Sequence, residues 1–223
     1  MAAIGPVEQL RAGRLTRRLT QLMLGLTLYG VSMGMMVRGT LGLDPWDVFH
    51  AGVMEQIDLS FGTIVIVVGF LVLLLWIPLR QLPGLGTIAN VIWIGLATDA
   101  TLALLGEPEN LALRLGLLLG GVVLNGLAGA LYIGSQFGPG PRDGLMTGLH
   151  RRTGVSIRLV RTTLEVSVLV VGFLLGGPVG LGTVVYALAI GPLVQLFLPW
   201  AIVELPAGDT ADEVAAEPVV LAA

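Results

Sequence analysis

Long apolar runs separated by short polar connections occupy most of the chain and predict membrane-spanning helices. A helix needs about 20 apolar residues to cross a hydrocarbon core of roughly 30 Å. The second run, FGTIVIVVGFLVLLLWIPL, follows Ser60, a residue suited to cap a helix, and ends near Pro78 and Arg80. Six spans are predicted in this way, at 19–38, 61–79, 85–105, 111–136, 158–176 and 180–201.

The composition narrows the fold class to an all-α, polytopic membrane helix bundle. Of the 223 residues, 55% are hydrophobic and only 12% are charged, whereas a soluble domain has about 25% charged residues. The absence of cysteine excludes disulfides, thiol catalysis and thiolate metal sites. No nucleotide-binding or hydrolase motif and no histidine cluster occurs. We therefore expect the lipid bilayer as a partner, and no catalytic residue, cofactor, metal or nucleic acid.

Both ends of the chain are polar. Residues 1–18 form a basic arm with four arginines, and they lack the cleavage site of a secretory signal peptide. Residues 204–223 hold five acids and no base, a composition typical of a disordered tail.

Charge sets the expected orientation, because cytoplasmic connections are enriched in arginine and lysine. The connection 38–60 holds four acids against one arginine, whereas 139–161 holds five arginines against one acid. The basic arm lies on the same side as the second of these connections. Six spans then place both termini in the cytoplasm of a multi-pass protein of the cytoplasmic (inner) membrane.

The sequence repeats itself at a constant offset of 96 residues. LGLDPWDVFHAG at 41–52 aligns with FGPGPRDGLMTG at 137–148. Further matches are Ser60 with Ser156, GLGT at 84–87 with GLGT at 180–183, Ile94-Gly95 with Ile190-Gly191, and Asp99 with Gln195. We expect two membrane repeats, 19–106 and 107–203. Since each holds three spans, the second enters the membrane from the opposite side, as in many transporters whose site lies at the repeat interface.

Each repeat also contains a short helix that starts at a proline. In the first, Asp44 is placed to cap the helix, Pro45 to open it and Asp47 to complement its dipole. The corresponding positions in the second are Gly140, Pro141 and Asp143, with Arg142 in the place of Trp46. About a dozen residues follow each start, a helix of roughly 18 Å, which is too short to cross the membrane. Each short helix therefore either lies in the interface or re-enters the bilayer.

Four polar residues in predicted spans are candidates for a substrate or ion path: Asp99, Gln195, Asn125 and Glu165. Ionisable groups inside a membrane are costly and often mark such paths. Each has a structural alternative. Asp99 can reach water at the outer end of its span, and Asn125 can join two helices. Glu165 can pair with Arg161, one helical turn away.

The stretch GPGPRDGLMTGLHRRTGVSIRLVRTTLEV at 138–166 resembles the YczE/YyaS/YitT group of bacterial integral membrane proteins. Members carry a glycine- and proline-rich turn, an acid, a short apolar helix and a basic T-G-x-S element before a span. GLDPWDVFHAGV at 42–53 is similar to the degenerate first-half copy of the YczE branch. The resemblance covers about residues 20–200 and implies the architecture more than a biochemical activity.

Two classes of function fit these patterns. The leading interpretation is a transporter or exporter of an unidentified small solute, with helix starts that favour an anionic group. The alternative is a non-transporting membrane partner: a scaffold of a biosynthetic complex or a substrate-binding subunit of a larger transporter. A homodimer or another membrane-complex partner stays open in both.

Overall fold

The computed structural model describes residues 6–205, and these residues are entirely helical apart from their connections. Nine helices occur in this part of the chain: α1 Pro6–Arg11, α2 Leu15–Gly39, α3 Pro45–Met54, α4 Phe61–Leu79, α5 Leu85–Leu104, α6 Leu111–Gly134, α7 Pro141–Thr153, α8 Ile157–Leu174 and α9 Leu181–Ala201. The expected all-α class is confirmed. The expected acidic tail, 204–223, lies outside the described residues except for its first two positions.

Five helices, α2, α4, α5, α6 and α9, are long and apolar enough to cross a membrane. The predicted span 158–176 corresponds to α8, which is 18 residues long. Three charged side chains, Arg158, Arg161 and Glu165, lie in its first half, so its composition falls short of that of the other five. The sequence predicted six spans, and five of them meet the criterion of length and composition.

The end of the basic arm, 1–18, belongs to the first long helix. Helix α2 begins at Leu15 instead of residue 19, and Arg18 is completely buried. Its guanidinium donates to the carbonyl oxygens of Ser135, at 2.9 Å, and Gln136, at 2.9 Å, just beyond the end of α6. Those carbonyls have no partner within the helix, so Arg18 joins the start of α2 to the end of α6.

Helices α2 and α6 form the centre of the bundle, with α5 against α2 and α9 against α6. Small residues allow this close packing. A Cβ on Gly30 of α2 would lie 2.7 Å from the carbonyl oxygen of Ile94 on α5, and one on Gly121 of α6 would lie 2.7 Å from the Met36 side chain. The buried core accordingly runs along α2, where Leu22, Leu26, Met33 and Met36 are almost inaccessible.

The helices of the two halves begin at equivalent positions. Helices α2, α3, α4 and α5 start at residues 15, 45, 61 and 85, and α6, α7, α8 and α9 start 96 residues later, at 111, 141, 157 and 181. The backbone turns recur as well, because Gly42 has φ 106° and Gly138 has φ 104°.

Reciprocal hydrogen bonds join the two halves. The N–H of Gly86 donates to the carbonyl of Phe137 at 2.9 Å, and the N–H of Gly182 donates to the carbonyl of Leu41 at 2.7 Å. Residue 86 corresponds to 182, and residue 41 corresponds to 137, so the same contact is made in both directions.

Candidate functional site

A cavity of about 310 Å³ lies against α2 and α6, and the starts of α3 and α7 line it. Its volume is at the lower end of the range for small-molecule sites. Tyr29 and Met33 of α2 and Asn125 and Gly129 of α6 line its inner wall. The two short helices, which follow opposite ends of antiparallel α2 and α6, thus meet in the interior of the bundle.

The meeting point is a contact between equivalent residues of the two halves. Trp46 and Arg142 both occupy the second position of their short helices, and the Arg142 guanidinium carbon lies 4.8 Å from the centre of the Trp46 ring. The same guanidinium is 3.5 Å from Asp44 Oδ1 and 3.8 Å from Asp47 Oδ1. Arg142 of the second half is therefore held by an indole and two carboxylates of the first.

Two hydrogen-bond networks fix the carboxylates at the start of α3. Asp44 Oδ1 accepts the N–H of Trp46 at 3.0 Å and that of Asp47 at 3.3 Å, which makes it the cap of the helix. Asp47 is completely buried, and its Oδ1 lies 3.1 Å from His50 Nδ1. Its other oxygen, Oδ2, is buried without a hydrogen-bond partner among the described residues.

Burial dominates the electrostatics of this cluster. Burial raises the pKa of Asp44 to about 7; the Asp47 carboxylate adds to this rise, and Arg142 opposes it. Burial also raises the pKa of Asp47, again opposed by Arg142. Burial lowers the pKa of His50 to about 3, so its imidazole is neutral near pH 7 and acts as a hydrogen-bond partner.

The start of α7 is organised by a tyrosine. The hydroxyl of Tyr132 donates to Asp143 Oδ2 at 2.9 Å and accepts the N–H of Gly140 at 2.8 Å. The carbonyl of Pro141 accepts the buried indole N–H of Trp76 at 3.0 Å. Asp143, the counterpart of Asp47, is thereby held near the turn that opens its own helix.

Asn125 connects three helices at the cavity wall. Its Nδ2 donates to Ser32 Oγ at 2.8 Å, and its Oδ1 accepts the hydroxyl of Tyr186 on α9 at 3.0 Å. The outer wall is more exposed: Arg161 Nε donates to Glu165 Oε1 at 3.0 Å on α8, and Gln195 lies opposite on α9.

The structure thus brings most of the sequence candidates to one place. Asp44, Pro45, Gly140, Pro141, Arg142, Asp143, Asn125, Glu165 and Gln195 all line the cavity. Asp47 lies directly behind Asp44 and Arg142.

Asp99 lies elsewhere. Its carboxylate accepts the hydroxyl of Ser60 at 2.5 Å and the N–H of Gly62 at 2.7 Å, where α4 crosses α5. Gly62 and Gly95 are in direct backbone contact at this crossing. Asp99 therefore ties two helix ends together and does not face the cavity.

None of the tyrosines was identified from the sequence as a candidate site residue. The chain has three tyrosines, and all of them, Tyr29, Tyr132 and Tyr186, line the cavity. Each sits inside an apolar run, where a hydroxyl needs a partner. That placement was a signal available in the sequence. Within the described residues, no group of histidine, aspartate and glutamate side chains is arranged to hold a metal ion.

Comparison with known proteins assigns the family. A model described as "Family of unknown function (DUF6198)" matches residues 16–199. The chain belongs to this family.

Relatives of this family member support the resemblance to YczE and YyaS. An uncharacterized protein of Haemophilus influenzae is 42% identical over 177 residues, covering 79% of this chain and 81% of that protein. The membrane protein YczE of Bacillus subtilis is 30% identical, with 80% and 84% covered, and YyaS of the same species is 25% identical, with 79% and 90% covered. No solved structure matches the chain. Together with its apolar helices, these relatives identify an integral, multi-pass membrane protein.

Proposed function

We propose that the protein is a carrier that moves a small solute across the membrane by alternating access, with the cavity as the solute-binding site. Two inverted three-span repeats form its scaffold, and α8 is the sixth span. The shared helix starts at offset 96 and the reciprocal Gly86–Phe137 and Gly182–Leu41 hydrogen bonds support this symmetry. Helices α3 and α7 are the re-entrant half-helices, with their N-termini at the midplane.

The observation that carries the proposal is the unequal packing of two equivalent helix pairs. Helix α4 packs along α5, closed by the Gly62–Gly95 contact and the Asp99 hydrogen bonds. Among the described residues, α8 and α9 have no comparable packing. Gly191, the counterpart of Gly95, has no neighbour within 4 Å of where its Cβ would lie, outside its own helix.

This asymmetry describes one state of a two-state carrier. With both termini in the cytoplasm, the α4–α5 crossing lies on the outer side and the α8–α9 gap on the inner side. The structure would then be open to the cytoplasm and closed to the exterior. In the opposite state, exchange of the two arrangements would close α8 on α9 at Gly191 and open α4 from α5 at Gly95.

Buried charge in the bundle interior favours a solute path over a purely structural role. Asp44, Asp47 and Arg142 are costly in a bilayer and are retained mainly where they serve a path. Their side chains also come from both halves, so relative movement of the halves changes their contacts. A scaffold protein needs no such cluster at its centre.

Transport is tested in vesicles that contain the purified protein and a loaded metabolite extract. We expect a defined solute to cross faster than in protein-free vesicles. Gly191→Trp fills the α8–α9 gap and is expected to stop this movement. Gly116→Trp is the matched control, because Gly116 is exposed on α6 and also has no neighbour within 4 Å.

The alternative function makes the opposite prediction. A scaffold or transporter subunit shows no solute movement in these vesicles and copurifies with a stoichiometric membrane partner after gentle extraction. That combined result would overturn the carrier proposal.

A further inference from the structure

The carboxylates at the start of α3, when both are ionised, carry more negative charge than the nearby cations balance. Arg142 is the guanidinium within 4 Å of Asp44 and Asp47 in the described part of the chain, and one arginine is shared by both. His50 does not add a positive charge, because its imidazole is neutral. A buried charge without a counter-ion is strongly unfavourable, so the pair attracts a further positive charge.

A buried acceptor without a hydrogen-bond donor marks where a proton binds. Asp47 is fully buried, and its Oδ2 has no hydrogen-bond partner among the described residues. Native proteins rarely leave such an atom unpaired, unless a ligand or proton completes it. Asp44 lines the cavity, whereas Asp47 does not, and a hydrogen bond links the two side chains. A cation in the cavity therefore contacts Asp44, and the proton of that hydrogen bond is the one that the cation displaces.

The cavity wall suits an organic cation. Tyr29, Trp46, Tyr132 and Tyr186 line the same cavity as Asp44, and aromatic faces attract ammonium groups by cation–π interaction. An anion would instead meet the carboxylates that already occupy the two helix starts. Asp44 accepts the first N–H groups of α3, and Asp143 Oδ2 lies beside Gly140 at the start of α7.

We propose that the Asp44–Asp47 pair is the cation site of the cavity, where a proton and a small organic ammonium ion bind in competition. This inference rests on the proposed carrier function and names its solute class. When the ammonium ion binds, the proton of the pair leaves to water; when the ion departs, a proton returns.

Several charged or titratable groups face the pair and set its proton affinity. They are His50 of α3, Tyr29 of α2, Arg142 and Asp143 of α7, Tyr186 of α9 and the Arg161–Glu165 pair of α8. Burial raises the pKa of both carboxyl groups of the pair, which brings the pKa of Asp44 to about 7. Proton exchange therefore falls near neutral pH.

Binding to purified protein in detergent tests the site without requiring transport. Benzyltrimethylammonium is the probe, because its charge does not change with pH; benzoate and benzyl alcohol are the anionic and neutral controls. Titration calorimetry in two buffers of different ionisation heat counts the protons released. Below about pH 7, where the pair is still protonated, we expect up to about one proton per cation and an affinity that rises by at most about tenfold per pH unit; both effects decline as the pair loses its proton at higher pH. The affinity rises with pH because protons compete for the same carboxylates.

Two variants localise the effect. Asp47→Asn is expected to abolish proton release and to weaken cation binding about tenfold or more. Asp58→Asn makes the same change of charge at an exposed position beyond α3 and is expected to behave as wild type. The wild-type proton count is informative even if Asp47→Asn does not fold.

Tighter binding of benzoate than of the cation, or cation binding without proton release, would overturn the cation site. Either result leaves the carrier open, because movement of solute across vesicles is measured separately. Conversely, cation binding with proton release but without any vesicle transport would retain the site and reject the carrier.

Discussion

Replacing Arg142 by glutamine removes the positive charge that holds the two short helices together. The guanidinium lies 3.5 Å from Asp44 Oδ1 and 3.8 Å from Asp47 Oδ1, and 27% of its side chain is exposed. Breaking a fully buried pair costs about 3–5 kcal/mol, because the remaining charge is left uncompensated. The longer distances and partial exposure reduce this to about 2–3 kcal/mol. The melting temperature of a chain of this size then falls by roughly 4–12 °C.

Thermal unfolding in detergent, followed by tryptophan fluorescence, measures this change. Arg151→Gln is the matched control, since Arg151 lies on the same helix and is exposed; its melting temperature should stay within about 2 °C of wild type. Adding Asp44→Asn to Arg142→Gln removes one of the two carboxylates left without a counter-ion, and it should restore part of the lost melting temperature. Equal stability of wild type and Arg142→Gln, with no effect of the second change, would refute the buried ion pair.

Two further substitutions test the packing and the closed helix pair. Gly144→Ala should prevent purification as a monodisperse protein, because the added Cβ would overlap the Trp76 indole. Gly116→Ala should be tolerated, because the Cβ of this residue would lie in open space. Normal behaviour of Gly144→Ala in size-exclusion chromatography would contradict the α4–α7 contact. Asp99→Ala removes the acceptor for Ser60 and the Gly62 N–H, so a single cysteine introduced at Val194 in the cavity should become more accessible to an impermeant thiol reagent from outside. Unchanged labelling would contradict the view that the Asp99 hydrogen bonds hold α4 against α5.

Much of the scaffold follows from local sequence. The offset of 96 predicted the positions of both short helices, because proline at the first turn and a preceding Asp44 or Gly140 specify a helix start wherever they occur. Ser60 and Ser156 likewise cap α4 and α8. These signals act within a few residues, so they are legible without knowledge of the tertiary fold.

The same signals could not predict whether the short helices lie at the membrane interface or in the interior of the bundle. A half-helix at the interface and one in the bundle interior have similar sequences, and Arg142 was equally consistent with an orientation signal. Its position depends on Trp46, Asp44 and Asp47 of the other half, a contact over almost 100 residues. Asp99 shows the opposite case. An acid within an apolar run suggested a solute path, but its carboxylate accepts hydrogen bonds from Ser60 and Gly62 and joins α5 to α4.

Alternating access requires that the two equivalent helix pairs exchange their open and closed arrangements. Because the chain has no cysteine, spin labels can be placed at exposed positions of α4 and α5, Val67 and Ala100, and at their counterparts Thr163 and Leu196.

Pulsed electron–electron double resonance in reconstituted membranes then measures the distance between the two spin labels of each pair. Alternating access predicts two distance populations for each pair of labels, and conditions that shorten the α8–α9 distance should lengthen the α4–α5 distance. A single unchanging distance for each pair, or changes in the same direction, would contradict alternating access.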